Sequence, residues 1–521
     1  MLTRWLFLRT LGVVYCIAFA SLGVQVLELV GSRGILPAAE FLAAVKASLG
    51  AEAYLALPTL GWLSASDGFL LFLCWGGAAL SVLVVLRVAP AAVLAVLWVF
   101  YLSLYGLGQT FLAFQWDLLL LEAGLLGVFL APWQLRPRLV AEPEPPLVAV
   151  WLVRWLVFRL MFLSGVVKLL DESPAAPTWK MLTALTYHYE TQCLPTAIAW
   201  YAHQLPPWFQ KASVLGVFAI EIAVPFLIFT SRRLRLAAFF PLVFLQLLIA
   251  WTGNYNFFNL LSIALCLMLL DDGCVRPLAP AAAARDARLP APRPPAARLH
   301  RSLTAAFAAV VLVVGGLWLA AAFLGFRALP ESGKAVLRYS SRFSSINTYG
   351  LFRSMTTSRP EIVVEGSDDG RTWREYGFRW KPGDVARRPG RVAPHQPRLD
   401  WQMWFAALGS YQSPRDRWFA SFLHRLLEGE PEVLALLAPS PFPERPPRLI
   451  RAVLYDYRFT TPAERRESGA WWTRTRLGPY SPLLSTGSRG GREVESSAKK
   501  AGRGGSEATR PPFGTSGVSA E

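Results

Sequence analysis

The stretch LVAVWLVRWLVFRLMFLSGVVKLL (residues 147–170) decides the fold class of this 521-residue chain. Apart from three cationic side chains it is apolar throughout, and it is long enough to cross about 30 Å of hydrocarbon as one helix. Runs of similar length and composition recur on both sides of it. The sequence therefore predicts a multi-pass α-helical membrane protein.

About nine such spans are predicted within residues 1–326, and the fourth, seventh and eighth of them are short. The first is expected to be retained as a signal anchor, because apolar sequence continues beyond it without a clear cleavage-site pattern. The predicted ranges are 11–30, 69–86, 91–114, 116–131, 147–170, 212–230, 236–251, 257–270 and 303–326.

Charge divides the chain into regions of different character. Only 17% of all residues are charged, against about 25% in soluble domains, and 36 charged residues precede Arg327 whereas 51 lie from there onward. We therefore predict a polytopic helical domain at 1–326 and a soluble domain at 327–482. Residues 483–521, rich in Ser, Gly and Arg, have the composition of a disordered tail.

The basic residues predict the orientation of the helices. Lys and Arg in short loops tend to remain cytoplasmic. With nine spans and a cytoplasmic N-terminus, four cationic residues fall on the opposite, lumenal side: Arg33, Lys46, Lys180 and Lys211. Fourteen fall on the cytoplasmic side: Arg4, Arg9, Arg87, Arg136, Arg138, Arg232, Arg233, Arg235, Arg276, Arg285, Arg288, Arg293, Arg298 and Arg301. The net charge of +17 thus reflects membrane topology, and no nucleic-acid partner is predicted.

Ionisable residues inside the spans are candidate functional groups, because burying a charge in lipid is costly. Helix geometry places Glu122 at a depth similar to those of Arg154 and Arg159. The cluster is either an ion pair that fastens two helices or a site for a polar substrate or a proton path. Lys168 is expected to reach the lumenal surface and Asp117 to lie at an interface. Glu221 has no partner nearby in sequence, so it is either a functional group or a buried neutral carboxyl.

The loop TYHYETQCLPTAIAWYAHQLPPWF (186–209) admits three interpretations: packing at the membrane surface, protein docking, or catalysis. His188, Glu190 and His203 could in principle ligate a metal, but their spacing matches no recognised zinc motif. Cys193, the one thiol expected on the lumenal side, is predicted to be inert. We therefore predict no catalytic, cofactor-binding or metal site.

The C-terminal region shows alternating patterns typical of strands. Residues 361–367 and 372–380 predict a hairpin, and 448–460 predicts a further strand. Helical spacing appears at 400–408 and 417–430. These patterns predict a mainly-β, β-sandwich-like domain with a few helices, and its many Arg and Trp residues suit a protein-binding surface.

Several long runs resemble the lipase maturation factor family. They are LTYHYETQCLP (185–195), GNYNFFNLL (253–261), INTYGLF (346–352), EIVVEGSDDGRTW (361–373) and PHQPRLDWQMWFAAL (394–408). The resemblance covers roughly residues 1–485, whereas the ending after Pro482 departs from the family pattern. It implies a multi-pass protein of the endoplasmic reticulum membrane that assists folding, assembly and export of dimeric secreted lipases such as lipoprotein lipase. It also implies that the lumenal C-terminal region binds the client.

Two hypotheses follow for function. The first is a non-enzymatic, membrane-anchored maturation factor whose lumenal domain holds secretory client proteins, without a cofactor. The second is an integral membrane transferase-type enzyme with a charged site among Glu122, Arg154, Arg159, His188 and Glu221. The sequence leaves the client and self-association open.

Overall fold

Helices dominate the first two thirds of the chain. The computed structural model describes residues 1–139, 142–170, 177–278 and 297–486. In chain order the α-helices are α1 (Leu2–Gly23), α2 (Val26–Val30), α3 (Ala38–Leu49), α4 (Ala53–Ala56), α5 (Asp67–Val85), α6 (Pro90–Leu107), α7 (Gln115–Leu130), α8 (Leu147–Leu170), α9 (Ala184–Thr191), α10 (Ala197–His203), α11 (Pro207–Phe218), α12 (Arg232–Thr252), α13 (Phe258–Cys266), α14 (Asp272–Val275), α15 (Arg298–Leu324), α16 (Glu331–Ser341), α17 (Arg398–Ala407), α18 (Arg417–Glu428), α19 (Pro431–Leu434) and α20 (Pro462–Ser468).

Seven helical segments of the described residues are long and apolar enough to cross a membrane. They are Leu2–Gly23, Asp67–Val85, Pro90–Leu107, Leu147–Leu170, Pro207–Phe229, Arg232–Thr252 and Arg298–Leu324. The fifth continues from α11 through a π turn and a 3-10 turn that contains Pro225. The other two predicted spans are shorter helices, α7 and the apolar segment Phe258–Leu269.

Contacts among the connecting segments define two opposite faces of the helix bundle. At one face, called here the N-terminal face, the Met1 amino group lies 2.6 Å from Asp272 and Arg4 lies 2.6 Å from Glu142. The imidazole of His300, at the start of α15, lies 3.0 Å from the carbonyl of Phe129, at the end of α7. The opposite face carries the C-terminal domain and is called here the sheet face.

Two of the predicted spans differ in extent from the structure. The first begins at Leu2 rather than at residue 11, because the ion pair with Glu142 allows Arg4 to be buried inside the helix. The seventh was expected to be short, and this was wrong. Helix α12 has 21 residues because its first turn includes arginines, which the apolar pattern alone does not count.

The C-terminal region forms one antiparallel sheet. Its strands are β1 (Arg359–Ser367), β2 (Arg374–Glu375), β3 (Leu449–Phe459), β4 (Trp472–Pro479) and β5 (Leu484–Ser485). The strand order is β2-β1-β3-β4, and β5 pairs with the start of β3. Val363 lies opposite Val453 in the central β1–β3 pair. The sheet extends to the end of β5 at Ser485, three residues past the predicted boundary at 482. Residues from 487 onward lie outside the described part.

Helices, rather than a second sheet, cover the apolar side of this sheet among the described residues. Helix α17 packs on β1 and α18 packs on β3. Both helices agree with the predicted helical segments. Helix α18 presents Phe419, Phe422 and Leu426 to the core at the spacing of one helical face. The predicted combination of an antiparallel sheet with a few helices is therefore confirmed, and helices occupy the place that the second sheet of a β-sandwich would take.

Candidate functional site

The buried carboxylate of Glu122, near the middle of α7, is the centre of the first polar cluster. Arg159 of α8 donates a hydrogen bond to its Oε1, and both side chains are almost completely buried. The hydroxyl of Tyr349 donates to Oε2 at 2.7 Å, and the backbone amide of Asn347 donates to the same oxygen at 3.2 Å. The predicted pairing of Glu122 is confirmed with Arg159. Arg154 instead donates to the Met268 carbonyl at 3.0 Å.

The segment 344–350, which supplies these two partners, enters the helix bundle from the sheet face. Gln115 lies at the sheet-face end of α7, and Glu122 lies seven residues further along the helix. The contacts of the segment with Glu122 are therefore about 10 Å below that end. The indole of Trp98 donates to Ser345 Oγ at 2.9 Å, and the indole of Trp318 donates to the Ile346 carbonyl at 3.1 Å. Irregular backbone is tolerated at membrane depth only where protein surrounds it. The segment, called here the inserted segment, meets that condition.

Asp117 forms a second buried cluster. Arg398, at the start of α17, donates to both of its carboxylate oxygens at 2.8 and 3.0 Å. The hydroxyl of Tyr101 donates to Asp117 Oδ1 at 2.5 Å, and Arg398 also donates to the Phe111 carbonyl at 2.7 Å. Asp117 was expected to lie at an interface, and the structure places it in the first turn of α7, where that helix meets the start of α17. It is fully buried because an arginine distant in sequence neutralises it.

The residues before Arg398 dock on the ends of α1 and α12. The imidazole Nδ1 of His395 lies 2.9 Å from Ser21 Oγ, and Gln25 donates to the Gln396 carbonyl at 2.7 Å. The side-chain oxygen of Asn254 accepts the amides of Val392 and Ala393 at 2.8 and 3.1 Å. These bonds fix the sheet domain to two helices of the bundle.

A third cluster joins strand β1 to the loop that follows α9. The guanidinium of Arg359 donates to the carbonyls of Glu190, Gln192 and Cys193, and the last of these bonds measures 2.8 Å. Glu361 lies 2.8 Å from both Arg359 and Lys381, so one buried carboxylate faces two buried cations. The guanidinium is suited to donate to several acceptors at once, because its five N–H donors point in fixed directions.

Lys168 and Glu221 form a buried ion pair, with Nζ 2.5 Å from Oε2. Lys168 Nζ also donates to the Ser164 carbonyl at 2.8 Å. The expectations that Lys168 reaches the surface and that Glu221 lacks a partner were both wrong. Helix α8 and the π turn after α11 pack together, and that proximity is not visible from their separation in sequence.

The loop 186–209 packs against the sheet domain. Trp200 joins an apolar cluster with Phe459, Trp471 and Trp472. His188 is buried with its ring edge-on to Phe352 at 4.9 Å, and burial, aided by the charge of Lys168, lowers its pKa to about 4. The loop therefore serves packing within the chain, against the sheet domain.

Metal or redox chemistry finds no support in the same loop. His203 lies 3.6 Å from Glu190, but the described residues contain no group of three or more ligands placed to hold a metal ion. Cys193 is 3% exposed. Burial raises the pKa of its thiol, so the reactive thiolate is disfavoured.

The region where the sheet domain contacts the helix bundle, described in the preceding paragraphs, is called here the junction. The sequence runs that carry the family resemblance supply many of its residues. Sequence reasoning missed Tyr349, Arg359 and Arg398, because each lies outside the predicted spans. No spacing in the sequence pointed to these residues, because helix geometry places Lys168 of the adjacent span, and not Arg398, at a depth similar to that of Asp117.

The fold and junction define a multi-pass membrane protein whose C-terminal antiparallel sheet domain is fixed to one end of its helix bundle. The family model for the lipase maturation factor transmembrane domain matches residues 2–277, and that for the lipase maturation factor C-terminal domain matches residues 345–482. The second match begins at the inserted segment.

Curated relatives agree with both matches. The chain is 41% identical to lipase maturation factor 2 of Gallus gallus, over 93% of this chain and 81% of that protein. It is 38% identical to lipase maturation factor 2 of Homo sapiens, over 93% and 83% of the two chains. Its identity to lipase maturation factor 1 of Bos taurus is 34%, over 93% and 89%. No solved structure matches the chain. The chain belongs to the lipase maturation factor family.

Proposed function

We propose that this protein is a non-enzymatic maturation factor of the endoplasmic reticulum membrane that assists folding, assembly and export of secreted dimeric lipases. The observation that carries the proposal is the junction, which fixes the sheet domain at one end of the helix bundle. The helix bundle anchors and orients this domain, and the domain binds the client. The names of the relatives support lipases as the client class.

The arginine distribution supports a lumenal position for the sheet domain. Arg4, Arg87 and Arg232 all lie at the N-terminal face of the bundle, opposite the sheet domain. Because arginines in short loops favour the cytoplasmic side, this distribution supports a cytoplasmic N-terminal face and a lumenal sheet face. A secreted client passes through that compartment.

The pairing of the intramembrane charges supports a binding role over the transferase alternative. Among the described residues, Asp117, Glu122 and Glu221 each have a cationic partner within hydrogen-bonding distance. A catalytic carboxylate must be available to a substrate. These groups instead hold helices and the sheet domain together.

The test uses cells that lack the endogenous factor and express a secreted lipase. Secreted lipase activity is measured for the full chain and for Glu122→Gln, His188→Gln and Glu221→Gln, and is normalised to the abundance of each variant. We expect each variant to lose activity only in proportion to lost protein. A variant at normal abundance that gives no rescue would contradict the binding role and favour the enzyme.

A further inference from the structure

Strand β4 forms one edge of the sheet and leaves its outer side open. It pairs with β3 on its inner side from Trp472 to Pro479. At the other edge of the sheet, three groups cover the outer side of β1: strand β2, the amide of Tyr376 and the ammonium of Lys381. Among the described residues no strand pairs with the outer side of β4.

The hydrogen bonds at the start of β4 identify the backbone groups that point outward. The Trp472 amide donates to the Val385 carbonyl rather than to β3. In an antiparallel pair, residues alternate between facing the partner strand and facing away from it. The pairing with β3 is regular as far as Arg476, where a register shift follows. Over this regular part the amides of Arg474 and Arg476 point to the open side, whereas Thr473 and Thr475 face β3.

Side chains along this edge are accessible and basic. Thr475, Arg476 and Leu477 are exposed, and Leu477 retains 58% of its accessible surface. Arg474 is held by Glu375 at 2.8 Å, while Arg476 has no carboxylate partner among the described residues. An open edge of this kind is a template for another strand.

The charge of these side chains indicates which kind of strand could pair with the open edge of β4. Two copies of β4 pairing antiparallel about Thr475 would place Arg474 of each copy, which Glu375 already holds, opposite Arg476 of the other, so Arg476 would gain no charge partner. An extended segment with acidic side chains would instead gain both backbone hydrogen bonds and charge pairing.

We propose that the outer edge of β4, residues 473–477, docks an extended, acidic segment of the lipase client by strand addition. This inference rests on the proposed function, because it names the surface through which the sheet domain holds its client. Binding through the backbone suits a partly folded client, which still presents unpaired strands.

The test measures capture of co-expressed lipoprotein lipase by the full chain after crosslinking in membranes. Arg476→Pro removes an outward amide without removing a donor to β3, and it is expected to lower capture about tenfold, the equivalent of one or two backbone hydrogen bonds. Arg476→Glu leaves the backbone intact and reverses the charge, so we expect a severalfold loss that shrinks at high salt. Arg466→Glu, an exposed arginine of α20, is the matched charge control and should capture normally.

Three outcomes would contradict the inference. If the two Arg476 variants capture as the unsubstituted chain does, the edge is not the docking site, while the proposed function stands. If they change only the oligomeric state of the chain, the edge pairs with a second copy instead. If the unsubstituted chain captures no lipase at all, the proposed function fails, and this inference fails with it.

Discussion

At the residue scale, buried carboxylates that receive a guanidinium and a tyrosine hydroxyl hold the junction together. Glu122 is contacted by Arg159 and Tyr349, and Asp117 by Arg398 and Tyr101. A buried charge without a partner is far more costly than a paired one, because low polarity magnifies the electrostatic penalty. In each cluster, the carboxylate can therefore be buried only when a segment distant in sequence is in place to supply its partner.

Glu122→Gln is expected to lower the free energy of unfolding by about 3–5 kcal/mol, because Arg159 would keep its charge without a carboxylate. Thermal unfolding of the detergent-solubilised chain measures this loss. Glu40→Gln, at an exposed carboxylate, is the control and should shift the unfolding temperature little. Equal shifts for the two variants would contradict a structural role for the pair.

His188 is expected to make the protein less stable in acid. Its folded pKa is about 4, below the ordinary value of 6.5, so the unfolded chain binds more protons once the pH falls below about 6.5. Stability is then lost as the pH falls from 6.5 toward 4, by about 2 kcal/mol between pH 7 and pH 5. The unfolding temperature of His188→Gln should depend less on pH in this window. An unchanged pH profile would show that His188 does not titrate as its burial implies.

At the element scale, short irregular segments rather than whole helices attach the sheet domain. The inserted segment reaches Glu122, the segment before α17 reaches α1 and α12, and Arg359 captures the loop after α9. Such segments bring many backbone donors and acceptors to one place, since they have no internal ladder to satisfy them. They recognise the polar ends of the helices.

Arg359→Lys is expected to loosen the loop after α9, because a single ammonium cannot reproduce the fork that bonds three carbonyls. Cys193 lies in that loop and is buried, so its labelling by a membrane-impermeant maleimide should rise severalfold. A Cys274→Ser background removes the exposed thiol at the other face. Arg451→Lys, at the Glu365 pair on the sheet, is the matched control. Labelling that rises equally in both variants would argue against a specific role for Arg359.

At the scale of the whole molecule, the bundle and the sheet domain share one hydrophobic core. Core packing runs from the helices into the sheet domain, as the contact of Phe111 with Trp418 at 5.6 Å between ring centres illustrates. The inserted segment fills space inside the bundle that no helix occupies. The membrane part is therefore incomplete without the residues that follow it.

A chain that ends at Phe326 is expected to accumulate poorly, because Asp117 loses Arg398 and Glu122 loses Tyr349. Its steady-state level and protease resistance are compared with those of a chain that ends at Thr486, which keeps every described contact. The chain ending at Thr486 should match the full chain. Normal, protease-resistant accumulation of the shorter chain would show that the bundle folds independently.

Orientation is tested with engineered N-glycosylation acceptor sites, which are modified only in the lumen. We expect modification of a site near Asp368, on the sheet domain, and none in the 276–301 loop, of which residues 279–296 lie outside the described part. The physical reason is the concentration of arginines at the N-terminal face. The reverse pattern would place the sheet domain in the cytosol and would contradict a lumenal client.

The sequence by itself determined the helical bundle, the sheet region and the presence of buried charge. Apolar runs such as 147–170 must become helices in lipid, where every backbone polar group needs an internal partner. Alternating runs such as 361–367 likewise predict strands. The pairing of Glu122 with Arg159 was accessible because α7 and α8 are consecutive, so their depths can be compared directly.

Only the tertiary structure decided which residues complete the junction. Arg398 lies 281 positions from Asp117, and Tyr349 lies 227 positions from Glu122. No periodicity connects residues so far apart, because periodic patterns report the face of one element and not its neighbour. The sequence therefore showed that buried charges needed partners, and the fold alone supplied the segments that carry them.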